Sequence, residues 1–166
     1  MRKELNIHIE MGGILDQING KAYYAGKVKT PESDPAAAVS EIIDGDNAYI
    51  VAASLAKAVG NLQGIIGSYA PNTLAVTGTR KEPSVSGTIT LASNYDESAA
   101  KAIESSILQY CEAGALCDWF ALTSPADTGY YVQEQAYATS KLEQALRRRV
   151  RPTARHNRNE ENRIQD

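Results

Sequence analysis

Ala99, Ile103, Ile107, Tyr110, Gly114, Cys117 and Ala121 recur every three or four residues over about six helical turns. This is the longest sustained helical period in the chain. Asp96 stands just ahead of it as a side-chain cap for the free N–H groups of the first turn. A helix of that length with one apolar face is not stable alone in water, so the rest of the chain must supply surfaces that cover it.

Other segments offer such surfaces. Ile14, Ile18, Ala22, Ala25 and Val28 predict a helix over 10–29, although Gly12, Gly13, Gly20 and Gly26 lower its intrinsic stability. Thr30–Pro35 reads as a turn that caps a short helix over 36–43. Asp46 is placed to cap a further helix running to Tyr69, where Pro71-Asn72 stops it. In that helix Gly60, Gly64 and Gly67 nearly share one face, which permits close approach by a neighbouring helix. Ser124-Pro125-Ala126-Asp127 combines a cap, a proline in the first turn and an acid three residues on. A last helix should follow, with Tyr131, Ala138, Leu142 and Ala145 on one face, and reach about Val150 before Pro152.

Strands are expected in two or three places. Residues 84–91 set Val85, Gly87, Ile89 and Leu91 against Ser84, Ser86, Thr88 and Thr90, a clean period of two. Residues 73–79 alternate through Leu74 and Val76, and Arg80–Pro83 is a polar turn, so a hairpin is predicted at about 73–92. A lone hairpin is marginal in water. It must pack on helices or join strands from other copies. Residues 4–9 read as a short strand or an extended arm. The fold class expected is mainly α, a small helical bundle with a projecting β-hairpin and an extended or disordered C-terminal tail. The division is a domain over 1–150 and a basic tail over 151–166.

At 166 residues one domain is expected, large enough to fold without disulfides. Cys111 and Cys117, six apart on a helix, point in different directions and cannot bridge each other; both read as packing residues. Met1-Arg2-Lys3 is followed by Glu4 and Asn6, unlike a signal peptide. Ser54, Lys57, Asn61 and Gln63 interrupt the apolar run over 48–70, which argues against a membrane span. A soluble chain made in a reducing compartment is expected.

No motif points to a reaction. His8 and His156 stand without a recognisable nucleophile or acid. Asp44-Gly45-Asp46-Asn47 resembles the start of a calcium loop, but the sixth and twelfth positions are Tyr49 and Leu55 where Gly and Glu are required. Gly60–Gly67 has no lysine and no preceding strand, so it is not a phosphate loop. Neither catalytic nor metal-ligating nor cofactor-binding residues are assigned, and no enzymatic activity is expected. Trp119-Phe120 is expected to lock the long helix to the next.

Charge is distributed unevenly. From Arg147 to Asp166 there are seven arginines and three acids, a net of +4, whereas the whole chain carries −3 and residues 1–146 therefore about −7. Cations near a helix C-terminus complement its dipole, which accounts for one or two arginines. Two readings remain for the others: contact with nucleic-acid phosphates, or docking on an acidic surface such as a neighbouring subunit. The acidic body favours docking. The candidate partner-binding residues are Arg147, Arg148, Arg149, Arg151, Arg155 and Arg158. Nine tyrosines against one Trp and one Phe fit either surfaces that become buried in a complex or the rim of the core.

Three segments carry a family resemblance: Ser93-Asn94-Tyr95-Asp96, Trp119-Phe120-Ala121-Leu122-Thr123, and Arg147-Arg148-Arg149-Val150-Arg151-Pro152. In that order, after an N-terminal strand-like segment and helices, they resemble head–tail connector (adaptor or head-completion) proteins of tailed phages and prophages of Bacteroides-like bacteria. The resemblance spans most of 5–155. It implies a mostly helical protomer with a β-hairpin, a homo-oligomeric ring of commonly twelve copies, and partners in the portal and in tail or neck proteins, with DNA passing through the channel and no membrane contact. It implies a place in the virion neck, and in the host cytoplasm before assembly. A tail terminator or stopper, or a nucleic-acid-binding protein using its arginine tail, is the alternative.

Overall fold

The computed structural model describes residues 2–29, 48–67, 74–79 and 82–150. The expected turn over 30–35, the short helix over 36–43, the Asp44–Asn47 turn, the Pro71-Asn72 stop, and Arg151, Arg155 and Arg158 lie outside them. In chain order the described elements are β1 (Lys3–Glu10), α1 (Gly12–Lys29), α2 (Ala48–Ile66), β2 (Ala75–Gly78), β3 (Pro83–Leu91), α3 (Ala100–Thr123) and α4 (Thr128–Leu146), with single 3-10 turns at Glu97–Ala99 and Pro125–Asp127. The protein is mainly helical, with one small antiparallel sheet.

The sheet has the order β1-β3-β2. The expected hairpin forms, with Thr77 opposite Ser84, and β1 pairs along the whole of β3, from Lys3 opposite Leu91 to Glu10 opposite Ser84. Of the two supports a hairpin can use, packing on helices is the one seen. Ile7, Ile9, Val85, Ile89 and Leu91 are buried in the core. The opposite face is polar: Thr77 Oγ1 lies 2.9 Å from Ser84 Oγ, and the Thr88 hydroxyl donates to Asn6 Oδ1 at 3.0 Å. Period-two alternation in sequence has become one dry and one wet face. Gly78 turns the hairpin at φ +89°, where a Cβ would strike the Glu82 carbonyl.

α3 is the central element and contacts α1, α2, α4 and β1. The stripe read from its sequence is buried at Ile103, Ile107, Tyr110 and Gly114. Farther along, Cys111, Ala113, Ala115, Leu116, Trp119 and Phe120 are buried too, whereas Ala121 is exposed and Cys117 half-buried. A helix enclosed on several sides needs more than one apolar face, so the single-stripe reading was too narrow here. Trp119 and Phe120 occupy the core as expected, and Phe120 stacks on Tyr131 of α4 at 5.1 Å between ring centres.

Among the described residues no helix uses the close approach that the glycine face of α2 permits: a Cβ on Gly60 or Gly64 would meet nothing within 4 Å. The buried side of α2 is Val51, Leu55, Ala58, Val59, Leu62 and Ile66, because that branched apolar stripe gains more from burial than glycines do. The close approach falls instead on Gly114 of α3, where a Cβ would lie 2.7 Å from Gln135 Nε2 and 3.5 Å from Ala58 Cβ. By length and composition Tyr49–Ile66 is apolar enough to cross a membrane, but its apolar side is occupied by the core.

One expectation is corrected: α4 ends at Leu146 and not near Val150. Its last carbonyl is met by a side chain: Arg149 donates to the Leu146 carbonyl oxygen at 2.8 Å, and also to that of Arg148, just past the helix, at 3.0 Å. The backbone beyond the helix turns to pair with 94–96, as described next.

Candidate functional site

Three of the six arginines assigned to partner binding are described, and each contacts its own chain. Arg147 pairs with Glu143 one turn back at 3.3 Å. Arg148 Nε lies 3.1 Å from Asp96 Oδ2, and Arg149 caps α4 as above. The backbone is tied at the same place. Asp96 N–H donates to the Arg148 carbonyl at 3.3 Å, Val150 N–H donates to the Asn94 carbonyl at 2.9 Å, and Tyr95 and Arg149 form an antiparallel bridge.

Two segments singled out in the sequence, Ser93–Asp96 and the first arginines, are therefore partners of each other. Asp96 is the node. One carboxylate oxygen accepts from Ser98 N–H at 3.0 Å, capping the turn before α3, and the other faces Arg148. Hydrogen bonding from Ser98 and the nearby Arg148 and Lys3 hold the Asp96 carboxyl below the usual range. Lys3 adds an ion pair to Glu97 at 2.8 Å, which ties β1 into the same corner. Arg147 and Arg148 are largely exposed, so each pair contributes little.

The other end of the α3–α4 seam is built differently. An open groove of about 730 Å³ runs between α1, α3 and α4, and its walls include Lys21, Tyr24, Glu112, Tyr130, Tyr131 and Glu134, with Asp127 at one end. Helical spacing sets these residues on one side: Asp127, Tyr130, Tyr131 and Glu134 are neighbours along α4 and the turn before it, as Ser105, Gln109 and Glu112 are along α3. Tyr24 is 67% exposed and Tyr130 61%. Tyr131 is half-buried between Phe120 and Tyr130, and burial, more than its neighbours Tyr130 and Glu112, pushes its phenol up.

Among the described residues, three carboxylates and one ammonium line this groove. Glu112, with its side chain 12% exposed, is ion-paired with Lys21. Glu134 accepts from Gln109 Nε2 at 3.4 Å, and Asp127 accepts from the Ser124 hydroxyl at 3.0 Å. The site therefore offers aromatic faces and negative charge together, which suits a guanidinium: carboxylates take its N–H groups and tyrosine rings take its flat cationic face. A smaller groove of about 480 Å³ continues along the seam, shares Ser105 and Gln109, and carries Lys141 and Arg148 at its basic end.

The remaining polar features are local. Lys57 and Asp118 pair at 3.0 Å beside Cys117, and the hydrogen bond to Asp118 raises the Lys57 ammonium. Cys111 is buried, and desolvation pushes its thiol up to about 12. Among the described residues no three His, Cys, Asp or Glu side chains are gathered as a metal site would need. Sequence reasoning found the arginines but missed the groove. The signal for it was present in Asp127, Tyr130, Tyr131 and Glu134 at helical spacing; what was absent was knowledge of which helix they would face. A comparison with protein-family models, with curated proteins and with solved structures finds no match.

Proposed function

We propose that this chain is a non-enzymatic assembly protein whose copies associate head-to-tail into a ring, and that it serves as a head–tail adaptor in the neck of a tailed-phage virion, between portal and tail. The observation that supports self-association is the split of charge within one chain. With Arg147–Arg149 folded into it, the body over 1–150 carries −4 and exposes Tyr24, Tyr49, Tyr130 and Tyr137, and residues 151–158, which follow it, hold three arginines and no acid. A ring joins one face of each copy to a different face of the next. Surfaces of opposite sign on one molecule fit that geometry. The virion role rests on the resemblance of the three sequence segments described above.

The test is negative-stain imaging of the purified chain, with its native mass, alone and mixed with the portal protein of the same phage. Rings, or a mass near twelve times 17.9 kDa, support the reading. A monomer under both conditions contradicts it.

A further inference from the structure

We propose that the groove between α1, α3 and α4 seats the arginine-bearing segment 151–158 of a neighbouring copy of this chain. This inference rests on the self-association reading and names its contact. Residues 151–158 contain Arg151, Arg155 and Arg158 and no acid. The groove presents Asp127, Glu134 and the Lys21-paired Glu112 beside the exposed rings of Tyr24 and Tyr130. Charge and chemistry match: guanidinium groups take carboxylates through their N–H fork and tyrosine rings through their flat face. The groove is also long enough for a short peptide, since its walls run from Ser105 to Leu116 of α3, roughly 16 Å of helix.

The direction of the chain at 148–150 favours a neighbour's segment over its own. Residues 148–150 run antiparallel to 94–96. They therefore head back toward Leu91 and the sheet, away from the start of α3. Arg147 and the Asp127 end of the groove also lie at opposite ends of α4, roughly 25–30 Å apart. A copy that delivers its segment outward leaves its own groove open for another, which is the arrangement a closing head-to-tail ring requires.

The test mixes two full-length variants. The groove variant is Tyr130→Ala with Glu134→Lys, at an exposed and a half-buried position; the segment variant is Arg155→Glu with Arg158→Glu. Circular dichroism checks that both fold, and Glu134→Gln alone serves as a milder groove variant. Each double variant alone should self-associate at least ten-fold more weakly than the native chain. Mixed, they should form a one-to-one heterodimer, because the groove variant still has an intact segment and the segment variant an intact groove. If the native chain associates but the mixture forms no heterodimer, the segment does not dock in this groove, and the assembly reading survives without it. If the groove variant associates normally while the segment variant loses retention on duplex DNA, the segment's partner is nucleic acid and the inference is overturned. A native chain that stays monomeric both alone and with the portal protein removes both proposals.

Discussion

The two ends of the α3–α4 seam are made from similar side chains and end in different states. At the Asp96 end, acids and bases lie close enough to satisfy one another: Asp96 with Arg148 and Ser98, Lys3 with Glu97, Arg149 with the last carbonyl of α4. At the Tyr130 end, among the described residues, three carboxylates meet one lysine, and two tyrosines face solvent. Charge that finds a partner within the chain closes a corner of the fold. Acidic side chains gathered beside exposed aromatics are suited to recruiting a cationic partner. The difference teaches that a run of arginines is not one feature, since Arg147–Arg149 belong to the first kind of surface.

The comparison can be broken by substitutions that act on folding at one end and on association at the other. The largest effect is expected from Phe120→Ala. Phe120 is fully buried and backs Tyr131, so its loss should cost about 3–5 kcal/mol in urea unfolding and should also loosen the groove wall. A cost below about 1 kcal/mol would show that the seam is not packed as described.

Asp96→Asn should lower Tm slightly near neutral pH, because it removes the charge that Ser98 N–H and Arg148 face while keeping a capping side chain. The folded Asp96 carboxyl titrates below its unfolded value. Its stabilisation is therefore full above the unfolded value of about 4 and is lost as pH falls through the folded one. The gap in Tm between native chain and variant should narrow in that acid window. A gap that stays constant from pH 7 to pH 2 would mean that the carboxylate charge contributes nothing.

The smallest effects on folding are expected on the exposed side chains. Tyr130→Ala should change stability by no more than about 0.5 kcal/mol and weaken self-association several-fold. Arg147→Ala should likewise cost about 0.5 kcal/mol or less, since its pair with Glu143 is solvent-exposed. A large loss of stability in Tyr130→Ala would move that residue from a docking surface to the core and erase the contrast between the two ends.

Much of the fold was legible because periodicity reports which face is covered. The period of two in 84–91 and the stripe through Ile103, Ile107 and Tyr110 both ended in the core. What was not legible depended on contacts far apart in sequence. Gly60 and Gly64 share a face that no described helix approaches, whereas Gly114, an ordinary member of its stripe, faces Ala58 and Gln135. The pairing of 94–96 with 148–150, which stops α4 short, joins segments more than 50 residues apart, and local propensity carries no trace of it. The groove was illegible for the same reason: its residues come from three helices whose mutual placement the sequence pattern does not record.

The most direct measurement is sedimentation of the full chain over a range of salt concentrations. Exposed opposite charges are screened as ionic strength rises. The account predicts assemblies at low salt that dissociate toward the 17.9 kDa chain as salt is added. A chain that sediments as a monomer at every salt and protein concentration, or an assembly that salt leaves untouched, would contradict it.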